Sequence, residues 1–437
     1  MMTTGLVLAA ALTTFTCDNG LQVAIESRPD TRTVFAEIGV RVGSRDEPAG
    51  LAGMSHLLEH LLFKEGHGEG ARVNPAFSAL RASGAEVNAS TDFEQTEYHA
   101  DLPVDRVDEG WGALVSMVTA TAFDRDDLRR ERGVVLQEVA LGKIDPLAVV
   151  AYSVLGRIFP GDPIGQPVIG FRKTLHRIRY EDLDRYYRRH YVPANMFALV
   201  VGDIDAARAE RMVRSTLGLL PGGGAPHSPY PRPEPHAEPV YRFRTLVKQS
   251  YLLAGALTDG DVAGDALALD LLARVLGGGR ASRLHRRLVQ REALTDDVLA
   301  LPFSVSNTGA FAAGLAVDPA KADLASAALT EEINRLAREP VTLEEIETAK
   351  RLFEAELMTR LETNEGFAEF LGHRVLMRQN VEPGDYLKAA FALTPADLLD
   401  AAGRHWGSTP PMQIQVVPAR GLGKLFAGLR FVIFRRL

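Results

Sequence analysis

Two histidines, His56 and His60, stand four residues apart in the segment from Gly53 to Phe63, with Glu59 between them. Apolar residues around them recur at helical spacing, which predicts a core-facing helix. Residues i and i+4 lie one above the other on a helix face, so the two imidazoles can bind one zinc ion. Glu59 is then placed to take a proton from a metal-bound water. The order His-x-x-Glu-His inverts the commoner His-Glu-x-x-His zinc motif. The competing reading is a pair of satisfied histidines on an amphipathic helix. A hydrolytic zinc site also needs a third protein ligand and an open position. A second acidic helix, predicted from Arg129 through Glu138, offers Glu131 and Glu138. Seven apart, they share a helix face about two turns apart, and a rise of ~1.5 Å per residue keeps both from binding one undistorted site. One should ligate while the other supports it through hydrogen bonds. Taken alone, the two glutamates are also what a solvated helix face carries.

The elements that must position these groups belong to a chain of 437 residues, a length that suggests roughly two to four domains. Apolar residues make up 46% and charged residues 24%, which excludes a disordered chain, a collagen and a disulfide scaffold. The net charge of −7 leaves no basic excess to neutralise phosphates, so nucleic acid is not an expected partner. Cys17 is the only cysteine, so no intrachain disulfide can form. No apolar run reaches the ~18 residues of a transmembrane helix. Met1 to Cys17 carries no charge and lacks the basic start of a secretory signal. Thr13 to Cys17 and Leu21 to Ile25 read instead as two strands joined at an Asn-Gly turn. The expected location is cytoplasmic, or periplasmic if the uncharged N-terminus is a signal. The segment Gly421 to Leu437 mixes apolar and basic residues. It reads as a tail packing on the body or on a partner, with a membrane-surface helix as the alternative.

Between Leu220 and Val240 prolines and glycines crowd together, which excludes a helix or central strand and predicts a stiff, extended linker. The expected division is therefore a first domain over 1–220, a linker over 221–240 and a second domain over 241–437. A weak repeat relates the halves. Tyr180 to Leu183 opens a helix that leads to a strand at Met196, and Pro395 to Leu398 opens one that leads to a strand at Met412. Phe123 to Leu128 and Val341 to Ile346 form a second pair, with acidic first turns suited to the helix dipole. The expected fold is α+β, two copies of one domain. Val34 to Val42 alternates apolar and polar residues in part, as in an antiparallel sheet covered on one face.

Together these pieces resemble the pitrilysin or insulinase (M16) family of zinc metallopeptidases, over nearly the whole chain. The nearest likeness is to its small-subunit branch, which includes mitochondrial processing peptidase and bacterial heterodimeric enzymes. His56, Glu59 and His60 match the family's inverted motif. Glu138 matches its third zinc ligand, and Glu131 the acidic residue seven positions earlier that supports the site. Gly84 to Thr91, followed by Thr96 to Tyr98, resembles the family's substrate-edge strand. Phe159 to Gly165, Val200 to Ile204 and Gly277 to Leu284 also have counterparts. The resemblance implies two similar α+β domains per chain, each a largely antiparallel sheet covered by helices, forming half of a clamshell. It implies one zinc ion per chain, held by His56, His60 and Glu138, with Glu59 as general base. It implies an extended peptide bound along Val87, Asn88, Ala89, Ser90 and Thr91. The second half lacks the motif, and Ala349 stands where Glu131 stands in the first, so only the first domain can hold zinc.

One departure matters. Active members use an Arg and a Tyr, seven apart, from the second domain to hold the substrate carbonyl and oxyanion. Those positions fall here on Val289 and Asp296. Valine has no donor, and an ionised aspartate repels an oxyanion. Arg287 or Arg291 is a substitute only if the register slips. The expectation is a heterodimer, in which a related subunit supplies the Arg/Tyr pair. Two other readings remain: a dedicated processing peptidase for a ribosomally made precursor, as in pyrroloquinoline quinone maturation, or a non-catalytic structural core subunit. Gly277 to Gly279 lacks the Gly-Lys-Ser/Thr that completes a phosphate loop, which favours close packing at a helix end.

Overall fold

The computed structural model describes residues 12–63, 74–119, 123–142, 146–224, 230–233, 240–245, 247–260, 264–376, 382–408 and 411–419. The N-terminal residues 1–11, the tail 421–437 and most of the Pro-rich segment lie outside them. The strands are β1 (Thr13–Thr16), β2 (Gln22–Ser27), β3 (Thr33–Val40), β4 (Glu86–Thr91), β5 (Thr96–Pro103), β6 (Met196–Gly202), β7 (Val240–Thr245), β8 (Ser250–Thr258), β9 (Leu299–Ser304), β10 (Gly309–Val317) and β11 (Met412–Pro418). The first-half helices are α1 (Met54–Phe63), α2 (Pro75–Ala82), α3 (Val107–Thr119), α4 (Arg125–Gly142), α5 (Pro146–Ile158), α6 (Arg172–Leu175), α7 (Tyr180–His190) and α8 (Ala206–Arg214). The second half adds α9 (Ala266–Gly277), α10 (Ala322–Leu336), α11 (Leu343–Leu361), α12 (Asn364–Leu376), α13 (Pro383–Ala392) and α14 (Pro395–Trp406). Among the described residues, no helix is long and apolar enough to cross a membrane.

The chain forms two compact units that are not continuous in sequence. The first comprises residues 1–141, 166–228 and 358–382, the second residues 142–165, 229–357 and 383–437. Each unit thus carries a helix from the other half: α12 belongs to the first and α5 to the second.

In the first unit six strands lie in the order β1-β2-β6-β3-β5-β4. All neighbours are antiparallel except β2 and β6. The expected turn is present: β1 and β2 pair around Gly20, whose φ of 91° suits glycine. One face of the sheet presents Val34, Ala36, Ile38, Val40, Tyr98, Ala100 and Leu102 to α1, α3, α4 and α7, in one apolar core. The expectation that the sheet is covered on one face is corrected here. Seven of eight β3 residues are buried, because α12 covers the opposite face. Phe367, Phe370 and Leu371 of α12 are buried, and a Cβ on Gly372 would meet Leu199 Cδ1 at 3.2 Å. The Arg28 guanidinium donates to the carbonyls of Leu361, Glu362 and Thr363, and Asn364 Nδ2 donates to Thr33 O. These bonds pin the start of α12 to the edge of the sheet.

The second unit repeats the plan with five strands in the order β7-β11-β8-β10-β9. Phe311 of β10 stacks on Trp406 of α14 at 4.9 Å. On the other face, Phe303 meets Phe159, just after α5, at 5.8 Å, and Arg157 lies over the Tyr241 and Phe243 rings. The order of elements equates α1 with α9, β4 with β9, α4 with α11 and α5 with α12. At the end of α9, a Cβ on Gly277 would lie 2.6 Å from Ala300 N. Close packing, not a phosphate, accounts for the glycine run.

Candidate metal centre

Helix α1 enters the core at a fixed angle because its N-terminus is held from several sides. Gly53 precedes it with φ of 93°, and a Cβ there would come within 2.6 Å of Ile169 O. Glu47 Oε2 accepts from Gly53 N and Oε1 from Ser55 N, both at 2.7 Å. A carboxylate on free N–H groups at a helix start is the favourable end of the dipole. Burial nonetheless pushes the Glu47 carboxyl up to about 8, against the pull of those donors. Ser55 Oγ donates to Gly43 O at 3.0 Å and meets Tyr186 Oη at 2.9 Å. Glu47 and Tyr186 carried no signal in the sequence, since neither lies in a motif and both act across the fold.

On this helix the His56 and His60 rings stand 4.7 Å apart, centroid to centroid. Helix α4 brings both glutamates to the same place, at opposite ends of one ring. Glu131 Oε2 lies 3.7 Å from His60 Nδ1, while Glu138 Oε2 lies 3.6 Å from His60 Nε2 and 3.9 Å from His56 Nε2. A tetrahedral zinc site with bonds of ~2.0–2.2 Å puts its ligand atoms ~3.4 Å apart. Glu138 Oε2 is close to that spacing from both Nε2 atoms. The donor set fits zinc: two imidazole nitrogens and one carboxylate oxygen.

Glu59 is also close, with its ligand atom and those of the two histidines within 4.8 Å of one another. It is 8% exposed and accepts from Thr91 Oγ1 at 2.6 Å. That bond commits Oε2 and leaves Oε1 for proton transfer. Burial raises the Glu59 pKa, opposed by the Thr91 bond and by His60. Burial, with His60 beside it, pulls His56 down to about 3, so its imidazole is neutral and can offer a lone pair. Burial also pulls on His60, but Glu131, Glu138 and Glu59 outweigh it and hold its pKa above the usual value. His56 Nδ1 is buried without a hydrogen-bond partner, so only His60 has a carboxylate behind its ring.

Of the predicted substrate strand, Val87, Asn88, Ala89, Ser90 and Thr91 all lie in β4, an outer edge of the sheet. Val87 and Ala89 pack against the core, and Thr91 reaches Glu59. Glu86, Asn88 and Ser90 are exposed.

In the second unit the same cross-helix geometry recurs with different chemistry. Aligning Phe123 with Val341 sets Ala349 opposite Glu131 and Glu356 opposite Glu138. On α9, Asp270 and Arg274 hold the i, i+4 spacing of the histidines. Arg274 donates to Glu356 at 2.5 Å and pairs with Asp270 at 2.5 Å. A guanidinium here bridges the two helices where the first unit offers an ion site. Arg287, the substitute oxyanion donor considered above, is engaged by Glu292, Glu331 and Glu332 at 2.7–2.9 Å. Val289 sits in the π-helical turn His285–Arg291, and Asp296 is exposed. Asp259, Asp265 and His405 also cluster within 4.8 Å, but Asp265 is taken by Arg404 and His405, and Asp259 by Arg232.

Comparisons with known proteins identify the family. The family described as insulinase (peptidase family M16) matches residues 22–170, and the one described as peptidase M16 inactive domain matches residues 177–353. The chain belongs to peptidase family M16, with an M16 first half and an inactive-type second half. A zinc protease of Streptomyces coelicolor is 27% identical over 91% of this chain and 88% of its own length. A zinc protease of Bacillus subtilis, YmxG, is 26% identical over 80% and 84%. Among solved structures, a Helicobacter pylori protease matches with a TM-score of 0.82 at 21% identity, covering 94% of this chain and 100% of its own. A peptidase M16 inactive domain from Pseudomonas fluorescens matches with a TM-score of 0.86 at 17% identity, covering 94% and 99%. These two likenesses concern the fold.

Proposed function

We propose that this chain is the zinc-holding, catalytic subunit of an endopeptidase that hydrolyses extended or unfolded peptides beside a related subunit. The convergence of His56 Nε2, His60 Nε2 and Glu138 Oε2, with Glu59 alongside, carries this reading. His56, His60 and Glu138 would hold one zinc ion, which supplies Lewis-acid polarisation and lowers the pKa of a water. Glu131 holds the Nδ1 proton of His60 and so directs the Nε2 lone pair towards the ligand position. Glu59, fixed by Thr91, takes a proton at Oε1 and returns it to the leaving amine, and its raised pKa suits that return. The outer edge of β4 offers backbone groups to an extended peptide, and Thr91 leads that peptide to Glu59.

The positions that the family uses for the oxyanion donors are filled here by Val289 and Asp296. Val289 cannot donate, and Arg287 is held by three carboxylates. A missing oxyanion donor costs ~10²–10³ in turnover, which supports a partner that supplies them. The test is peptidase activity on a mixed pool of unfolded peptides, from the chain alone, with the nearest homologous subunit encoded beside it, and with that subunit plus Glu59→Gln. Activity in the pair, lost with Glu59→Gln while metal content is kept, is expected. Strong activity from the chain alone would overturn the heterodimer. Silence in every combination would overturn the peptidase reading.

A further inference from the structure

We propose that Arg45 and Glu94 are a positioning pair: their buried contact seats the turn between β4 and β5 so that Thr91 holds Glu59 in place. The inference rests on Glu59 as the proton carrier of the proposed peptidase.

The pair lies in a join between two elements of the site. β4 ends at Thr91 and β5 begins at Thr96, and in the tight turn between them Asp92 N donates to Gln95 O at 2.8 Å. The segment from Gly43 to Glu47 lies against this turn. Ser44 N donates to Asp92 O at 3.0 Å, and Arg45 N to Phe93 O at 2.9 Å. A Cβ on Gly43 would stand 2.4 Å from Asp92 O, so the two backbones meet directly. Thr96 Oγ1 donates to Val42 O at 2.8 Å. The same segment also holds the start of α1. Gly43 O accepts from Ser55 Oγ, and the Glu47 carboxylate accepts from Gly53 N and Ser55 N. One short segment thus joins the end of the peptide-pairing strand to the helix that carries His56, Glu59 and His60.

Side chains complete the join. Arg45 Nη1 donates to Glu94 Oε1 at 2.6 Å, with only 1% and 6% of the two side chains exposed. So deep a pair returns little stability, because the desolvation of both charges offsets their attraction. Packed apolar side chains of similar volume would hold the fold as well. What a guanidinium and a carboxylate add is direction, since a short charge-assisted bond sets one partner at one distance.

That direction reaches Glu59 through the turn. Glu94 stands inside the turn that follows Thr91, so fixing its carboxylate fixes the turn and with it the Thr91 hydroxyl. Thr91 Oγ1 in turn donates to Glu59 Oε2 at 2.6 Å. Proton transfer needs Glu59 placed to a fraction of an ångström, and a misplacement of ~1 Å costs on the order of 10²-fold. Glu59 is held by the helix it stands on and by the Thr91 hydroxyl, and residues 43–47 fix both. Arg45 and Glu94 therefore act on the reaction without touching substrate or metal.

The test replaces the pair by apolar side chains, Arg45→Met with Glu94→Leu, alone and combined with Thr91→Val. Zinc-loaded full-length chain is assayed with the related subunit encoded beside it. For the apolar pair, parent stability in denaturant is expected, with zinc affinity and KM within about twofold of the parent and kcat lower by about tenfold. Thr91→Val alone should lower kcat comparably. Added to the apolar pair it should change kcat by less than about twofold, because both act through one hydrogen bond. A kcat like the parent's, or two effects that multiply, overturns the inference. So does a fall in zinc affinity that accounts for the lost turnover. Should the apolar pair not fold, Glu94→Gln carries the same comparison with Thr91→Val, with an expected loss of about threefold. A readout without turnover is the separation of Thr91 Oγ1 and Glu59 Oε2 in a crystal structure of the apolar-pair chain. It should exceed about 3.5 Å with α1 unmoved, and a bond kept at its parent length overturns the inference. If the parent chain-and-partner pair hydrolyses nothing, the peptidase reading falls, and this separation still decides whether Arg45 and Glu94 position Glu59.

Discussion

Replacing Glu131 by Gln separates a residue that orients a ligand from one that is a ligand. Both glutamates sit on α4 and both approach His60, but at opposite ring nitrogens: Glu131 at Nδ1, 3.7 Å, and Glu138 at Nε2, 3.6 Å. A carboxylate behind an imidazole fixes its tautomer and raises its basicity, and losing such a partner costs ~10–100-fold in metal affinity. That equals ~1.4–2.7 kcal/mol. Glutamine keeps the size and one acceptor, so the loss should fall in this range and not beyond it. Glu138→Gln removes one of the three proposed protein ligands and should abolish stoichiometric zinc at concentrations that saturate Glu131→Gln. Competition against a chromophoric chelator gives the affinities, and circular dichroism checks the fold. If Glu131→Gln binds zinc like the parent, or Glu138→Gln binds it better than Glu131→Gln, the assignment of roles along α4 is wrong.

Thr91→Val removes the hydroxyl that lowers the Glu59 pKa, so the acidic limb of kcat/KM should move to higher pH while zinc content is unchanged. An unmoved limb would exclude Glu59 as the group that titrates. Glu47→Ala removes the acceptor of two backbone N–H groups at the start of α1 and should cost ~1–2 kcal/mol in denaturant titration, with weaker zinc binding from a frayed helix. Undiminished stability would show that the buried carboxyl holds nothing. In the second unit, the double change Asp270→His with Arg274→His should add a second equivalent of zinc, measured by elemental analysis, because Glu356 already stands across from that turn of α9. A stoichiometry that stays at one would break the correspondence drawn between the two units.

The motif from His56 to His60 was legible because helix periodicity and metal chemistry agree within a few residues. The α4 glutamates were legible as a pair, and their two-turn separation argues against both binding at one atom. Spacing alone gave no view of both reaching a single imidazole from opposite ends, because that depends on how α4 crosses α1. The repeat around Tyr180 and Pro395 was readable in local helix and strand signals, and α7, β6, α14 and β11 follow it. The covered second face of the first sheet was not. Glu37 and Gly39 read as the outer side of a solvated strand, and the helix that buries them is encoded more than 300 residues later. Glu47 was invisible for the same reason: a cap formed by a residue outside the helix leaves no periodic trace.

The exchange of α5 and α12 sets a schedule for synthesis. A ribosome adds ~5–20 residues per second, and the helix that closes the first sheet ends at Leu376. The half that carries the candidate metal site therefore waits on the order of ten seconds or more, after its own strands have emerged, with one apolar face bare. During that interval it resembles an unfinished sandwich more than a nascent domain. Splitting the gene at the proline-rich segment would make the wait permanent. Each product would carry the lid of the other, so duplication of this architecture favours copying the whole chain over copying either half.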